Sequence, residues 1–314
     1  MQARPHPCLR AGQRGAAIVT ALLIVMLATT VVATLFVREN VTLRAVENRQ
    51  ALAQTRWIER AAIDWAKVIL RADARSGVVD HLGEPWAVPV ADTELDETVT
   101  AGAQIGRNSR PAMLAGQISD AQSRLNLNSL VQSGRPVQGQ LEALRRLFEM
   151  LDIAPSLADT VLERVHRGQP TLEDGKMVPA LQAPILRLTD LLALPGFDAD
   201  SVERLLPFAI VLPRATPVNV NTAPAEVMAA LVPQLGLSGA RRFVSQRERT
   251  FFRQLGEASA LIEDQPVLSP ALVGVASNYF IVRGMVRFER VESLSETLLE
   301  RSVDRVEIVW QQRY

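Results

Sequence analysis

Ala16-Ala17-Ile18-Val19-Thr20-Ala21-Leu22-Leu23-Ile24-Val25-Met26-Leu27-Ala28-Thr29-Thr30-Val31-Val32-Ala33-Thr34-Leu35-Phe36-Val37 is a run of 22 residues without a charge. As an α-helix it rises roughly 33 Å, enough to cross a hydrocarbon core of about 30 Å. Arg4, Arg10 and Arg14 precede it with no acidic residue among them, whereas Arg38, Glu39, Arg44 and Glu47 follow it. Basic flanks stay on the cytoplasmic side, so the N-terminus is expected there and the body on the other side. A secretory signal peptide has a shorter apolar core, about 7–15 residues, and a small-residue cleavage site; Val31 and Ala33 form only a weak one. A plain anchor fits both length and flanks. No Pro or Gly occurs from Ala16 to Ser76, and apolar residues continue at helical spacing through Val41, Leu43, Val46, Leu52, Ile58 and Ile69. The reading is one helix of about 60 residues, roughly 90 Å long, lipid-facing in its first half and amphipathic in its second.

The boundary Gln13-Arg14-Gly15-Ala16-Ala17 resembles the processing site of type IV pilins and type II secretion pseudopilins. The resemblance implies cleavage between Gly15 and Ala16 by a prepilin peptidase, with N-methylation of Ala16. Cleavage would leave 299 residues, with Cys8 and three arginines removed, and a balance of 31 basic to 34 acidic side chains. Thr20 would then be the fifth residue, where those families usually carry a Glu that pairs in the membrane with a neighbour's N-terminal amine. A subunit with Thr20 in that place fits a filament end, where one neighbour is absent. A Thr is equally compatible with an ordinary anchor.

Composition narrows the chemistry. The chain has 314 residues, 34 basic and 34 acidic side chains, and 48% hydrophobic residues, enough for a sizeable core and two domains. A neutral balance argues against a protein that coats nucleic acid. Cys8 is the single cysteine, so neither an intramolecular disulfide nor a four-cysteine zinc site can form. His6, His81 and His166 are the three histidines, little material for a catalytic or metal cluster. Asp120, Gln122 and Arg124 stand close in sequence but have no nucleophile–base pair beside them; Asp120 is read as tying a strand end. Trp57, Trp65, Trp86 and Trp310 are read as core or packing residues. No catalytic residue is assigned, and the chain is read as non-enzymatic.

The body reads as α+β. Ala87 to Val90, Thr98 to Ile105 and Met113 to Ile118 are strand-like, as are Tyr279 to Phe288 and Val303 to Trp310. Between them the period becomes helical: Leu141 to Leu151, Ala158 to Val165, Leu188 to Leu194 closed by Pro195-Gly196, and Ser201 to Phe208. A further helix opens at Asn221-Thr222-Ala223-Pro224, with Asn221 or Thr222 as cap and Pro224 in the first turn. Sheet pieces flank helices, so a helical block is expected to be inserted into a sheet domain. Asn219, Asn221 and Thr222 with Leu231 to Gly239 resemble a helix-hairpin-helix, with Arg241, Arg242, Arg247 and Arg249 nearby; Leu194-Pro195-Gly196-Phe197 is a second candidate. This gives the alternative reading, a membrane-anchored DNA-binding or uptake protein. Glu226, Glu248 and Glu257 among the arginines, and the membrane itself, favour a structural hairpin, and no nucleic-acid partner is expected.

Several motifs then coincide in order along nearly the whole chain: Gly15-Ala16 with Thr20, Val79-Asp80-His81-Leu82-Gly83-Glu84-Pro85-Trp86, Asp120 to Leu130, Val218-Asn219-Val220-Asn221-Thr222-Ala223, and Ser277-Asn278-Tyr279-Phe280. In these the chain resembles the general secretion pathway protein K family, the large minor pseudopilins of type II secretion. The resemblance implies a pilin-like fold: a long N-terminal helix packed on an antiparallel sheet, with a large all-α domain inserted between strands. The expected division is a leader over 1–15, a transmembrane half-helix over 16–37, stem and first αβ part over 38–130, helical insert over 131–272, and closing strands over 273–314. It also implies a place at the pseudopilus tip with I- and J-type minor pseudopilins, contact with the major pseudopilin, initiation of assembly, and an inner-membrane anchor with a periplasmic body. The family often holds calcium in an acidic segment of the α-domain. Here the corresponding stretch, 164–184, offers only Glu173 and Asp174 as carboxylates, with His166, Arg167 and Lys176 nearby, and is read as a solvated loop rather than a metal site.

Overall fold

The structure, a computed structural model, describes residues 14–95, 111–173 and 176–314. Helix α1, Arg14–Ser76, runs 63 residues without a break. Its residues from 17 to 50 are all exposed, which suits an apolar half made for lipid. From there a single stripe is buried: Ala51, Thr55, Glu59, Ile63, Ala66, Leu70 and Asp73. Steps of three and four put them on one face of the helix.

That face lies on a five-stranded antiparallel sheet of β1 (Val90–Leu95), β2 (Ala112–Asp120), β3 (Tyr279–Phe288), β4 (Val291–Arg301) and β5 (Val306–Arg313), in that spatial order. Strand alternation divides the core. Ile118, Phe280, Val282 and Leu299 meet Ile63, Ala66 and Leu70 of the stem. Tyr279, Ile281 and Leu298 face the other way and meet Ala121, Ile210 and Leu212. Strands β2 and β3 are neighbours, with Phe280 opposite Asp120, so everything from 121 to 278 is inserted between two adjacent strands.

The insert holds α2 (Gln138–Met150), α3 (Leu157–Arg167), α4 (Ala199–Leu205), α5 (Ala225–Leu231), α6 (Gly236–Arg249) and α7 (Leu255–Ser259) around their own apolar core, including Leu144, Leu147, Phe148, Val161, Leu191 and Met228. Two short parallel ladders close its base: Leu125–Asn126 with Ala209–Ile210, and Val218–Asn219 with Val273–Gly274. The architecture is thus a long helix on an antiparallel sheet with a helical domain between strands.

Several local expectations change. Pro85–Ala87 is a 3-10 turn and β1 begins only at Val90, because Pro85 and Pro89 each lack the N–H that a ladder needs. The stretch Thr98 to Ile105 lies outside the described residues. Leu188–Ala193 is 3-10 rather than α, and α4 starts earlier because Asp198 caps it, its carboxylate accepting from Ser201 N–H at 2.8 Å. The last strand starts at Val306, not Val303, and β4 was not anticipated at all. Neither Asn221 nor Thr222 caps α5; Pro224 takes the cap position, because both polar side chains are drawn into tertiary hydrogen bonds. Trp86 is buried and Trp310 partly so, but Trp57 and Trp65 are exposed at 69% and 53%. They stand off the stripe by which the stem meets the sheet.

Candidate functional site

Four of the sequence motifs, far apart along the chain, meet in one buried node. Asp120, at the end of β2, is its centre. One carboxylate oxygen accepts from the Asn219 side-chain amide at 3.0 Å, the Thr222 hydroxyl at 2.6 Å and the Ser277 hydroxyl at 2.6 Å. The other accepts from Gln122 N–H at 2.7 Å and so fixes the turn that leaves the strand. The Gln122 side chain donates to Pro217 O and accepts from Asn278 N–H, joining the entry of the insert to its middle and exit.

Asp80 adds the loop after the stem. Its carboxylate accepts from Ser277 N–H at 2.7 Å and from Arg301 Nη2 at 2.5 Å, and its carbonyl accepts from Asn219 at 3.1 Å. Arg301, at the end of β4, also donates through Nη1 to Asp73 in the last turn of α1 at 2.5 Å and through Nη2 to Ser277 O at 2.7 Å. Its guanidinium lies 4.6 Å from the centroid of Phe280, a cation–π contact. Glu84 organises the loop itself, accepting from His81 N–H at 2.9 Å and Trp86 Nε1 at 2.8 Å. The His81 ring stacks on Phe251 of the insert at 3.8 Å.

Burial pushes the Asp120 carboxyl up from its ordinary value, against the pull of Ser277, Thr222 and Gln122 N–H. Asp80 is also raised by burial, with Arg301 opposing. Asp73 rises through burial and the neighbouring Glu84 charge, again against Arg301. One guanidinium therefore serves more carboxylates than it can neutralise. Asp73, Asp80 and Glu84 bring ligand oxygens close enough to surround an ion, but Arg301, Trp86 and His81 N–H already occupy them. Asp120, Asn219 and Ser277 are 3% exposed or less. The Ser277 hydroxyl donates to the Asp120 carboxylate and accepts from the Asn219 amide at 3.1 Å. The arrangement holds stem, loop, sheet and insert together.

The other sequence-derived positions fall elsewhere. Gly15 and Ala16 lie in the first turns of α1, and the hydroxyl of Thr20 donates to Ala17 O at 3.0 Å. Glu173 pairs through its backbone with Lys176 in a two-stranded ribbon, and Asp174 lies outside the described residues. Two carboxylates with a lysine opposite do not fit a hard cation that prefers six to eight oxygens. Of the helix-hairpin-helix candidates, Asn221 exchanges hydrogen bonds with Phe252 and the Arg247 guanidinium, its pKa lowered by burial to about 10, donates to Val220 O at 2.7 Å. Asn219, Asn221, Thr222 and Arg247 are thus buried, while Arg241, Arg242 and Arg249 remain on the surface of α6. Asp73 and Arg301 were not found by sequence reasoning. Only their side-chain types, charges at the end of a helix and of a strand, could have signalled them.

The comparisons with known proteins agree with this map. Models of type II secretion system protein K match residues 123–214 and 218–274, the body of the insert. The type II secretion system protein K of Pseudomonas aeruginosa is 30% identical over 268 residues, covering 78% of this chain and 75% of that protein. The namesake from Pectobacterium carotovorum is 27% identical over 339 residues, covering 97% of both chains. A chain in the crystal structure of the GspK-GspI-GspJ complex from the enterotoxigenic Escherichia coli type 2 secretion system superposes with a TM-score of 0.67 at 19% identity, over 86% of this chain and 99% of that one. At that identity the likeness speaks for the fold.

Proposed function

The chain belongs to the type II secretion system protein K family, and on that premise we propose that it is the minor pseudopilin at the tip of a pseudopilus, anchored by one helix in the inner membrane with its body in the periplasm. The observation that carries this reading is the division of labour along α1. Its first half is exposed and apolar, while its second half is locked to the sheet by the stripe from Ala51 to Asp73. A subunit built this way can leave the bilayer as one rod and present a folded body at its far end. The stem also keeps Val41, Leu43, Val46, Leu52, Trp57 and Trp65 in solvent, exposed apolar side chains on more than one side of the helix that suit contact with neighbouring stems in a filament.

In this reading the partners are an I-type and a J-type minor pseudopilin, by analogy with the complex of the structural neighbour, together with the major pseudopilin below. Gly15 and Ala16 are the peptidase's substrate. The protein works by assembly and not by catalysis, and the ribbon around Glu173 needs no calcium. Deletion in the native host should strand type II cargo in the periplasm, with full-length chain restoring export. Co-purification of the full chain with its I- and J-type partners from membranes should give a three-subunit complex. Normal export in the deletion strain would overturn the assignment. Salt-sensitive retention of DNA by the full chain, together with normal export, would return the DNA-uptake alternative.

A further inference from the structure

The sheet face opposite the stem is only partly covered by the insert, and a cavity of about 750 Å³ remains where the two meet. Its floor includes Ile281, Met285, Leu294 and Trp310, and Leu186 and Leu206 belong to its wall. Most of the lining is apolar, but Arg124, Arg187 and Arg283 also face it, with Glu296 as the acidic counterpart. Glu296 is already engaged, accepting from Arg283 through Nε at 3.0 Å and Nη2 at 2.9 Å. Arg124, partly buried, has no hydrogen-bond or ion-pair partner among the described residues, and Glu296 and Asp120 act on it only at longer range. Burial first, and then the Arg283 charge, lower the Arg124 pKa to about 10, so at neutral pH it stays a cation with no anion in direct contact. A partly desolvated guanidinium in that state favours an incoming carboxylate, which can bind it bidentately.

We propose that this cavity receives an acidic segment of another subunit of the assembly, a Glu or Asp side chain on the Arg124 guanidinium with flanking apolar side chains over Met285, Leu294 and Trp310. The proposal rests on the chain's role as an assembling subunit. Charge complementarity selects the occupant: with Arg283 paired to Glu296, Arg124 and Arg187 remain against the single carboxylate of the terminal Tyr314, so the lining keeps a net positive charge that favours a negative group, and the apolar floor requires that it arrive between apolar neighbours. Arg124 belongs to the motif around Asp120, yet it takes no part in the buried node. Its role in the cavity accounts for a charge the fold itself does not use.

The test uses the full chain in nanodiscs of zwitterionic lipid, labelled with 5-fluorotryptophan, with Trp310→Phe assigning the Trp310 resonance. The probes are acetyl-Leu-Glu-Leu-amide, its Gln isostere, and laurate. The Glu peptide should shift Trp310, while the Gln peptide, or the Glu peptide with Arg124→Gln, should bind at least about tenfold more weakly, as expected for loss of a charge-assisted bond. Arg124→Lys should recover part of the affinity. An unchanged unfolding temperature for Arg124→Gln shows that the variant remains folded. Equal binding of both peptides, or binding indifferent to Arg124→Gln, overturns the proposal. So does an Arg124-dependent response to laurate without one to the peptide, which would assign the cavity to a lipid carboxylate. Peptide binding is read on the isolated chain and cargo export in the host, so either reading can fail while the other stands.

Discussion

Arg301, at the end of the fourth strand, holds Asp73, in the last turn of the membrane helix, at 2.5 Å. Their side chains are 9% and 6% exposed, and they are separated by 228 positions in sequence. The same guanidinium binds Asp80 at 2.5 Å. It joins stem, loop and sheet at one buried point.

Arg301→Met should be among the most damaging single changes in the body. It leaves Asp73 and Asp80 buried without a cation, a loss of about 3–5 kcal/mol for a broken buried pair. Arg301→Lys should recover only part of this, since a single ammonium does not reproduce the fork that reaches two carboxylates and Ser277 O. Urea unfolding of the full chain in micelles measures the difference; a loss below about 1 kcal/mol for Arg301→Met would refute the account.

Asp120 imposes a pH dependence of definite sign. Its folded carboxyl is raised above the ordinary 3.8, so between 3.8 and that higher value the native state binds more protons than the unfolded one. Its contribution to stability therefore increases as pH falls through the folded value, is complete below 3.8, and is lost as pH rises through the window. Asp120→Asn should remove this component of the slope when unfolding is compared between neutral and mildly acidic buffer. A slope unchanged by the substitution would show that the carboxyl is not raised.

Gly196 and Gly236 separate crowding from backbone strain. Both have positive φ, +91° and +53°, but a Cβ at Gly196 would lie 2.6 Å from Leu157 Cδ2, whereas nothing lies within 4 Å at Gly236. Gly236→Ala should cost about 1–3 kcal/mol through backbone strain alone, since φ +53° with ψ 177° is adopted readily only by glycine, and Gly196→Ala about 1–3 kcal/mol more. Chemical denaturation ranks the two; equal costs would mean that Leu157 moves aside freely.

Chelation addresses the ribbon at Glu173. With two carboxylates and a lysine opposite, EDTA should leave the unfolding temperature of the purified chain unchanged. A fall that calcium reverses and magnesium does not would restore the ion that the family often holds.

Maturation has a direct readout. The intact mass of the protein from membranes of its own host should correspond to a chain of 299 residues beginning at methylated Ala16. A chain still beginning at Met1, in cells whose peptidase processes other subunits, would reduce Gly15-Ala16 to coincidence.

The stem was legible because uninterrupted helical spacing from Ala16 to Ser76 leaves no other choice, and Tyr279 to Phe288 because its β-branched and aromatic residues mark a strand. The next strand was not. It follows a two-residue turn, Glu289-Arg290, in which Glu289 takes φ +54° without the Asn or Gly that advertises a hairpin. Leu298 and Leu299 are both buried because the stem covers one face of the sheet and the insert the other, which blurs the alternation. The polar node was visible as separate motifs but not as a cluster, because only the closing of β2 on β3 brings Asp120 to Ser277. For the same reason Thr222 looked like a helix cap: its hydroxyl suits either role, and the tertiary partner was out of sight.

Adjacency of β2 and β3 across the whole insert also sets the order in which the molecule can be completed. The stem is made first, yet most of the surface it docks on belongs to β3 and β4, near the other end of the chain. During synthesis the helical insert is complete before the sheet can close, and contacts of such long sequence separation form late. The membrane end is therefore in place while its seat is still being delivered. A rod bearing a finished body exists only once the last strands have been made, so a chain truncated late in synthesis has its long helix but no shoulder on which to stand.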